Sequence, residues 1–152
     1  MDKDMYVRMI DSYSGMMYRV AYTILRNPHD CKDALQEAAL KAWEKRFTLR
    51  DEQRFASWIT RIVINACYDI QRKRKRTISL EEMASEPSIQ PPDRILHWAL
   101  QSLPEKLRLP LMLQYSEGMD YREISLALRL PESTVRGRIH RAKQALRKEL
   151  GE

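Results

Sequence analysis

The sequence predicts an all-α protein made of two small helical domains joined by a flexible linker. Apolar residues recur at the three- and four-residue spacing of amphipathic helices, and period-2 alternation of useful length is absent. Residues 77–94 combine three of the seven prolines with serine and glutamate, a composition that buries too little apolar surface to become ordered. We therefore expect domains at residues 1–76 and 95–152, with the linker at 77–94.

Helical spacing predicts three helices in the first domain and about four in the second. Those of the first domain cover residues 5–25, 30–44 and 53–76, and the Asn27–Pro28 break separates the first two. Those of the second begin near Arg94, Lys106, Tyr121 and Pro131. Domains of this size have marginal cores, so a partner would help to stabilise them.

One side of the second helix is expected to pack, and the other groups polar side chains around a leucine. The packing stripe is Leu35, Ala39, Ala42 and Trp43. The opposite side carries Asp33, Gln36, Glu37, Leu40 and Glu44. An exposed leucine is ordinary, but one ringed by Asp, Gln and Glu resembles the centre of a protein interface. We favour an interface over a merely solvated face.

The third helix combines a long apolar face with a basic end. Its packing residues are Phe55, Trp58, Ile59, Ile62, Val63, Ala66 and Ile70. Its outer face is expected to present Arg61, Ile64, Tyr68 and Arg72, followed by the run QRKRKR. Most basic runs are solvated tails, but cations mixed with apolar and aromatic groups suit the unstacked bases of single-stranded or opened nucleic acid.

Residues 120–150 are typical of a helix-turn-helix, two short helices around a tight corner. The first has an apolar stripe of Ile124, Ala127 and Leu128, and Pro131 fits the first position of the second. The second helix has one narrow apolar face of Val135, Ile139, Ala142 and Leu146. Its opposite face carries Arg136, Gly137, His140, Arg141, Gln144, Arg147 and Lys148.

The charge of this last helix points to DNA. Residues 134–148 contain six Lys or Arg and no acid, whereas an ordinary solvated helix mixes signs to form pairs one turn apart. A phosphate backbone is the natural partner, and arginine reads guanine edges when a helix carries it into the major groove. The segment is therefore predicted to bind DNA.

Composition agrees with a polyanionic partner and excludes several other classes. The formal net charge is +6, and basic residues outnumber acidic ones by 16 to 10 in residues 1–76 and by 10 to 7 in residues 97–152. Cys31 and Cys67 form no CxxC motif, and the histidines share no ligand spacing beyond His29-Asp30-Cys31. We therefore predict no metal site and no cofactor.

Membrane insertion and catalysis are likewise not expected. No run approaches the ~18 apolar residues of a membrane span, and the N-terminus lacks the apolar core of a signal peptide. This predicts a cytosolic protein with reduced thiols. The chain has no phosphate loop, no nucleophile beside a base and no carboxylate pair of clear spacing.

In order and spacing, the motifs of this chain resemble those of the ECF (extracytoplasmic function) members of the sigma-70 family. In the first domain the matching segments are Met17–Tyr22, Asn27–Pro28, Asp33–Glu37, Lys41–Trp43, Phe55–Ile59, and Asn65 with Asp69. In the second they are Leu103–Pro104, Glu117–Ile124, Thr134–Arg136 and Arg138–Ala142. The resemblance covers all but the linker and the extreme ends.

The resemblance implies sigma region 2 over residues 5–76 and region 4 over 95–150. The implied partners are core RNA polymerase (its β′ clamp helices and β flap), promoter DNA and an anti-sigma factor. The implied polymerase-binding residues are Asp33, Gln36, Glu37 and Leu40. The −10 element would be opened within the loop 47–53 and along the third helix by Phe47, Thr48, Leu49, Arg50, Arg61, Asn65, Tyr68 and Arg72. The −35 duplex would be read by Arg136, Gly137, Arg138, His140, Arg141, Gln144 and Lys148.

Two positions depart from the family pattern. Gly137 stands where members commonly carry serine, so one polar −35 contact is expected to be absent or replaced by a closer backbone approach. Arg129 stands where a glycine often ends the first helix of the pair, and a left-handed residue there would be strained. We therefore expect a turn of different construction.

A helix-turn-helix regulator, whose first domain senses a ligand or dimerises, is the competing hypothesis. It accounts equally well for residues 120–150. It leaves the leucine-centred face of the second helix and the basic run after Gln71 without a role. For that reason the sigma factor interpretation is preferred.

Overall fold

A computed structural model describes residues 1–77 and 99–151 of the chain. Contacts divide it into two units, Met1–Pro87 and Ser88–Glu152. Every regular element of the described residues is helical, which confirms the all-α class. The predicted linker lies outside the described residues except for Thr77. None of the helices that the structure describes is long and apolar enough to cross a membrane.

Up to Thr77, the last described residue of the first unit, three helices all pack against one another, α1 (Lys3–Leu25), α2 (Pro28–Glu44) and α3 (Phe55–Thr77). The Asn27 side chain accepts a hydrogen bond from the amide of Asp30 at 3.1 Å, so it caps α2 immediately before Pro28. Two short 3-10 turns, Arg46–Thr48 and Glu52–Arg54, lie in the loop between α2 and α3.

The buried face of α2 differs from the predicted stripe. Its fully buried apolar residues are Cys31, Ala34, Ala38 and Ala42. Leu35, Ala39 and Trp43 are only half-buried, so the prediction was wrong for these three. Because α2 packs against both α1 and α3, its smallest side chains lie at the closest approach and the larger ones pack from the flanks.

The predicted division of α3 into a buried and an outer face is also partly wrong. Ile64 is only 1% exposed, whereas Trp58 and Ile70, assigned to the core, are half-buried. Since α3 contacts α1 on one side and α2 on the other, its buried arc is wider than a single apolar stripe. Ile64 lies within this wider arc and is not available to bind a base.

The basic end of α3 helps to hold the fold together. Arg74 Nε lies 2.8 Å from Asp30 Oδ2, and the Asp30 side chain is only 8% exposed. One turn earlier, Gln71 Nε2 donates to the carbonyl of Ile24 near the end of α1. A nearly buried carboxylate requires a partner, so Arg74 links α3 to α2 and is less available to a nucleic acid than an unpaired cation would be.

Cys31 and Cys67 of the first unit are buried, and neither takes part in a disulfide. Burial raises the pKa of the Cys31 thiol to about 11, and the Asn27 backbone hydrogen bond only partly opposes this. The thiol therefore stays protonated at neutral pH, and it packs as a small apolar group between helices.

The second unit begins, within the described residues, with a helical segment at 99–102; the helix start predicted near Arg94 lies outside them. It continues with α4 (Glu105–Tyr115), α5 (Tyr121–Leu128) and α6 (Glu132–Glu149). Asp120 and Glu123 form a capping box at the start of α5. Pro131 precedes α6 as its N-cap, one position earlier than predicted.

The corner between α5 and α6 is built on a left-handed arginine. Arg129 has φ 54° and ψ 48°, so the expectation of a different turn was wrong. The amides of Arg129 and Leu130 both donate to the Ser125 carbonyl, and the Ser125 hydroxyl donates to the Leu130 carbonyl. These three hydrogen bonds offset the steric cost of a Cβ in this conformation.

We predict that Arg129→Gly stabilises the second unit and that Arg129→Ala does not. The left-handed conformation destabilises a residue with a Cβ by roughly 1–2 kcal/mol. Glycine removes this steric cost, and the greater entropy it gives the unfolded chain cancels only part of the gain. Amide hydrogen exchange of α6 in the full chain should show a free energy of opening that is about 1 kcal/mol higher in Arg129→Gly and unchanged in Arg129→Ala. Equal stabilisation by Arg129→Gly and Arg129→Ala would contradict this prediction, because the effect would then come from loss of the arginine side chain.

Candidate nucleic-acid and protein interfaces

The outer face of α6 presents most of the residues predicted to read duplex DNA. Val135, Ile139 and Ala142 are buried against the rest of the unit, whereas Leu146, assigned to the same apolar face, is only half-buried, so the prediction was wrong for this residue. On the opposite side, the exposed members of the predicted set are Arg136, His140, Arg141, Gln144 and Lys148. Gly137 and Arg138 are half-buried; Gly137 lies within this face beside Arg141, and Arg138 lies at its border with the packed side. The structure thus gathers the five exposed members on one face of α6, as a major-groove helix requires.

A shallow depression of about 520 Å³ opens on this face. Its lining residues are Tyr121, Ser133, Arg136, Gly137, Ile139, His140 and Lys143. A Cβ placed at Gly137 would lie 3.4 Å from Nη1 of Arg141. A serine at this position would therefore fit closely beside Arg141, and glycine leaves that part of the depression open.

Aromatic rings lie beneath two cations of α6. The guanidinium carbon of Arg136 is 5.0 Å from the ring centroid of Tyr121, the first residue of α5. Lys143 Nζ is 5.5 Å from the ring of Tyr115, which is 70% exposed at the end of α4. Such contacts restrain long cationic side chains. Sequence reasoning missed both rings, because helical periodicity does not relate residues of different helices.

The leucine-centred face of α2 is exposed as predicted. Asp33, Gln36, Glu37 and Leu40 are all accessible, and Leu40 is 63% exposed. At its border, Lys41 Nζ lies 3.7 Å from Glu37 Oε1 and 3.3 Å from Asp69 Oδ2 on α3. A large exposed apolar side chain within a polar rim has the composition of a docking site.

The loop between α2 and α3 is tied to α3 by a side-chain hydrogen bond. Thr48 Oγ1 accepts from Trp58 Nε1 at 3.0 Å and donates to the Lys45 carbonyl at 2.7 Å. Asp51 accepts from the amide of Gln53 at 3.0 Å and so caps the second 3-10 turn. Beside these anchored positions, the Phe47 ring is 73% exposed. The exposed ring therefore lies on an ordered loop.

The predicted single-strand residues of α3 occupy one stripe. Arg61, Asn65, Tyr68 and Arg72 follow one another at four- and three-residue spacing along the helix. The first three are half-buried, and Arg72 is exposed beside Asp69, with which it forms an ion pair. An acidic side chain of the same helix thus moderates the charge of the basic stripe and orients Arg72.

The short spacing of His29, Asp30 and Cys31 does not bring these three side chains together. His29 is largely exposed, with Nε2 3.8 Å from Asp33 Oδ2. Cys31 is fully buried, and Asp30 is paired with Arg74. Three neighbours on a helix point in different directions, and these three therefore cannot share a ligand.

Comparison with known proteins matches both units to one family. The family model of sigma-70 region 2 matches residues 9–77, and that of sigma-70 region 4 matches residues 93–146. The ECF RNA polymerase sigma factor SigW of Bacillus subtilis is 30% identical over 98% of this chain and 90% of its own length. SigE of Mycolicibacterium smegmatis, also an ECF sigma factor, is 32% identical over 91% of this chain and 59% of its own length.

A solved structure shares the fold. The sigma factor RpoE of Bartonella quintana, crystallised with the anti-sigma factor NepR, aligns with a TM-score of 0.83 at 21% sequence identity. The alignment covers 98% of each chain. This likeness supports the two-unit helical fold described above.

Proposed function

Because the chain belongs to the sigma-70 family, as a sigma factor of the ECF type, we propose that it binds core RNA polymerase, recognises −35 and −10 promoter elements and promotes strand opening. The observation that carries the proposal is the acid-free exposed face of α6 in a chain whose other unit exposes Leu40 within a polar rim. One surface suits duplex DNA and the other suits a protein.

The α2 face is the proposed polymerase contact. This face would dock on the β′ clamp helices through Asp33, Gln36, Glu37 and Leu40. The second unit would contact the β flap. Leu40 would be the apolar anchor, while Asp33 and Glu37 supply charge at the rim. All four side chains are exposed in the described structure, so a partner could reach them without displacing the buried row of α2.

The α6 face is the proposed −35 reader. Arg136, His140 and Arg141 lie where the helix would enter the major groove, and Arg136 is restrained by the Tyr121 ring. Lys148, near the C-terminal end of α6, would instead lie along the phosphate backbone. Base readout and electrostatic affinity would thereby be divided between different residues of one helix.

The loop 47–53 and the α3 stripe are the proposed −10 site. Phe47, Leu49 and Arg50 would surround an unpaired base, and Asn65 with Tyr68 would continue the contact along α3. Thr48 differs from these residues because its hydroxyl is already bonded to Trp58 and Lys45. Its role would be to hold the loop rather than to bind the base.

Regulation and location complete the proposal. Since the similar RpoE structure contains an anti-sigma factor, we propose that a protein of this class sequesters the present chain. It would act in the cytoplasm, where polymerase and chromosome are found, and by binding rather than by a catalytic step of its own. A helix-turn-helix regulator without sigma activity would leave the α2 face and the region 2 match without a role.

Run-off transcription of genomic fragments with purified core polymerase is the direct test. The wild-type chain should direct new transcripts, and Leu40→Asp should abolish them by preventing docking. Because Leu40 is exposed, its substitution should change the free energy of unfolding by less than about 0.5 kcal/mol. Ala38→Asp, a buried control two residues away, should unfold the unit. Tight promoter binding by the free chain, with no effect on polymerase, would favour the regulator instead.

The −35 assignment predicts different effects for two cations of α6. In holoenzyme tested on a −35 mutant library, Arg136→Ala should cost about 1–3 kcal/mol and relax preference at one base pair. Lys148→Ala should weaken all sequences alike and lower the salt dependence by about one phosphate contact. Indistinguishable profiles for the two variants would refute this division of labour.

The −10 assignment predicts that strand opening depends on the loop. Glycine at all four positions 48–51 should leave closed complexes nearly intact and abolish the permanganate reactivity of −10 thymines. Extruding a base costs a few kcal/mol, which only a structured loop can recover. A template with a pre-melted bubble should rescue the variant. If the glycine variant melted a linear promoter at the wild-type rate, the loop would only connect two helices.

A further inference from the structure

Arg46 lies between two aromatic rings at the start of the loop that follows α2. Its guanidinium carbon is 3.8 Å from the ring centroid of Trp43 and 4.3 Å from that of Phe47. Its Nη1 donates to the Trp43 carbonyl at 2.8 Å. At these distances a planar guanidinium contacts both rings, and the hydrogen bond fixes its orientation.

The stacked groups continue into the packed interior of the first unit. The Trp43 ring meets the buried Tyr6 ring edge-on, with centroids 5.1 Å apart and an interplanar angle of 60°. The Tyr6 hydroxyl in turn donates a hydrogen bond to the Ala39 carbonyl on α2. Tyr6, Trp43, Arg46 and Phe47 thus form a column that begins in the core and ends at an exposed ring.

The chain on the other side of Phe47 is held as well. Thr48 is bonded to Trp58 of α3 and to the Lys45 carbonyl. Phe47 therefore lies between two anchored neighbours, and one face of its ring is covered by Arg46. A phenyl ring that is 73% exposed despite this restraint presents its remaining surface to solvent.

We propose that Arg46 is a positioning residue for strand opening, which holds the Phe47 ring so that its free face stacks on an unpaired base. This inference rests on the proposed role of the loop at the −10 element. Arg46 acts through its planar shape and not by attracting phosphate. Lysine keeps the charge but has a compact ammonium group that cannot fill the space between two rings.

The test compares Arg46→Lys, Arg46→Ala and Phe47→Ala in holoenzyme, on a promoter found in the run-off screen. The measured quantity is the rate of open-complex formation, followed by permanganate reactivity at several salt concentrations. All three variants should slow opening on a linear template by about tenfold, in keeping with the loss of one base–aromatic stack. A pre-melted template should remove the defect, and the salt dependence should stay at the wild-type value.

A double variant tests whether Arg46 acts through Phe47. Arg46→Lys added to Phe47→Ala should slow opening no further, since the ring it positions is already gone. Arg54, an exposed arginine of the second 3-10 turn, supplies the matched control. Both Arg54→Lys and Arg54→Ala should stay within about twofold of wild type, since neither touches the column.

Each of the following results would overturn the proposal. Arg46 would be a phosphate contact if Arg46→Lys opened the promoter at the wild-type rate while Arg46→Ala opened it slowly and with a weaker dependence on salt. Equal defects on linear and pre-melted templates, or a lowered melting temperature, would make the column a purely structural element. If wild-type holoenzyme opens no promoter, the proposed function itself fails together with the role of Arg46. If only the Arg46 variants behave as wild type, that role alone is lost.

Discussion

The close packing of α2 between α1 and α3 is the constraint on which the first unit depends. Cys31, Ala34, Ala38 and Ala42 form a row of small side chains, which allows α2 to approach both neighbours at once. This row fixes the rotation of α2 about its axis. Leu40 is consequently directed to solvent, and Trp43 is left half-buried where the chain enters the loop. The exposure of the proposed polymerase contact and the position of Trp43 in the aromatic column both follow from this one rotation.

Ion pairs then decide which cations of the first unit remain for a nucleic acid. Arg74 neutralises the nearly buried Asp30, and Asp69 links Lys41 to Arg72. The basic end of α3 is therefore partly used in holding helices together. In α6, by contrast, residues 134–148 contain no acid with which the cations could pair. On the proposed assignments, the first unit would rely more on stacking and the second more on charge, as opened strands and duplex DNA require.

In the second unit the corner before α6 has the same importance as the small-residue row in the first. The capping box of Asp120 and Glu123 starts α5, and the left-handed Arg129 ends it. The turn brings the Tyr121 ring, at the start of α5, beneath Arg136 of α6. A cation that reads a base edge must be held before it binds, because ordering a free arginine would cost side-chain entropy. On the proposed −35 assignment, the corner would contribute to recognition without touching DNA.

The sequence by itself determined the all-α class, the exposed leucine-centred face of α2, the apolar face of α6 and the family. Each of these depends on local spacing, or on the order of short motifs, which a chain carries without its fold. The tertiary structure alone decided the buried row of α2, the burial of Ile64, the pairing of Arg74 and the left-handed turn at Arg129. It also placed Arg46 between Trp43 and Phe47. Local periodicity describes a helix with one buried side, whereas α2 and α3 each pack against two neighbours. Contacts such as Tyr6 with Ala39, or Lys41 with Asp69, join residues far apart in the chain, so no local pattern contains them.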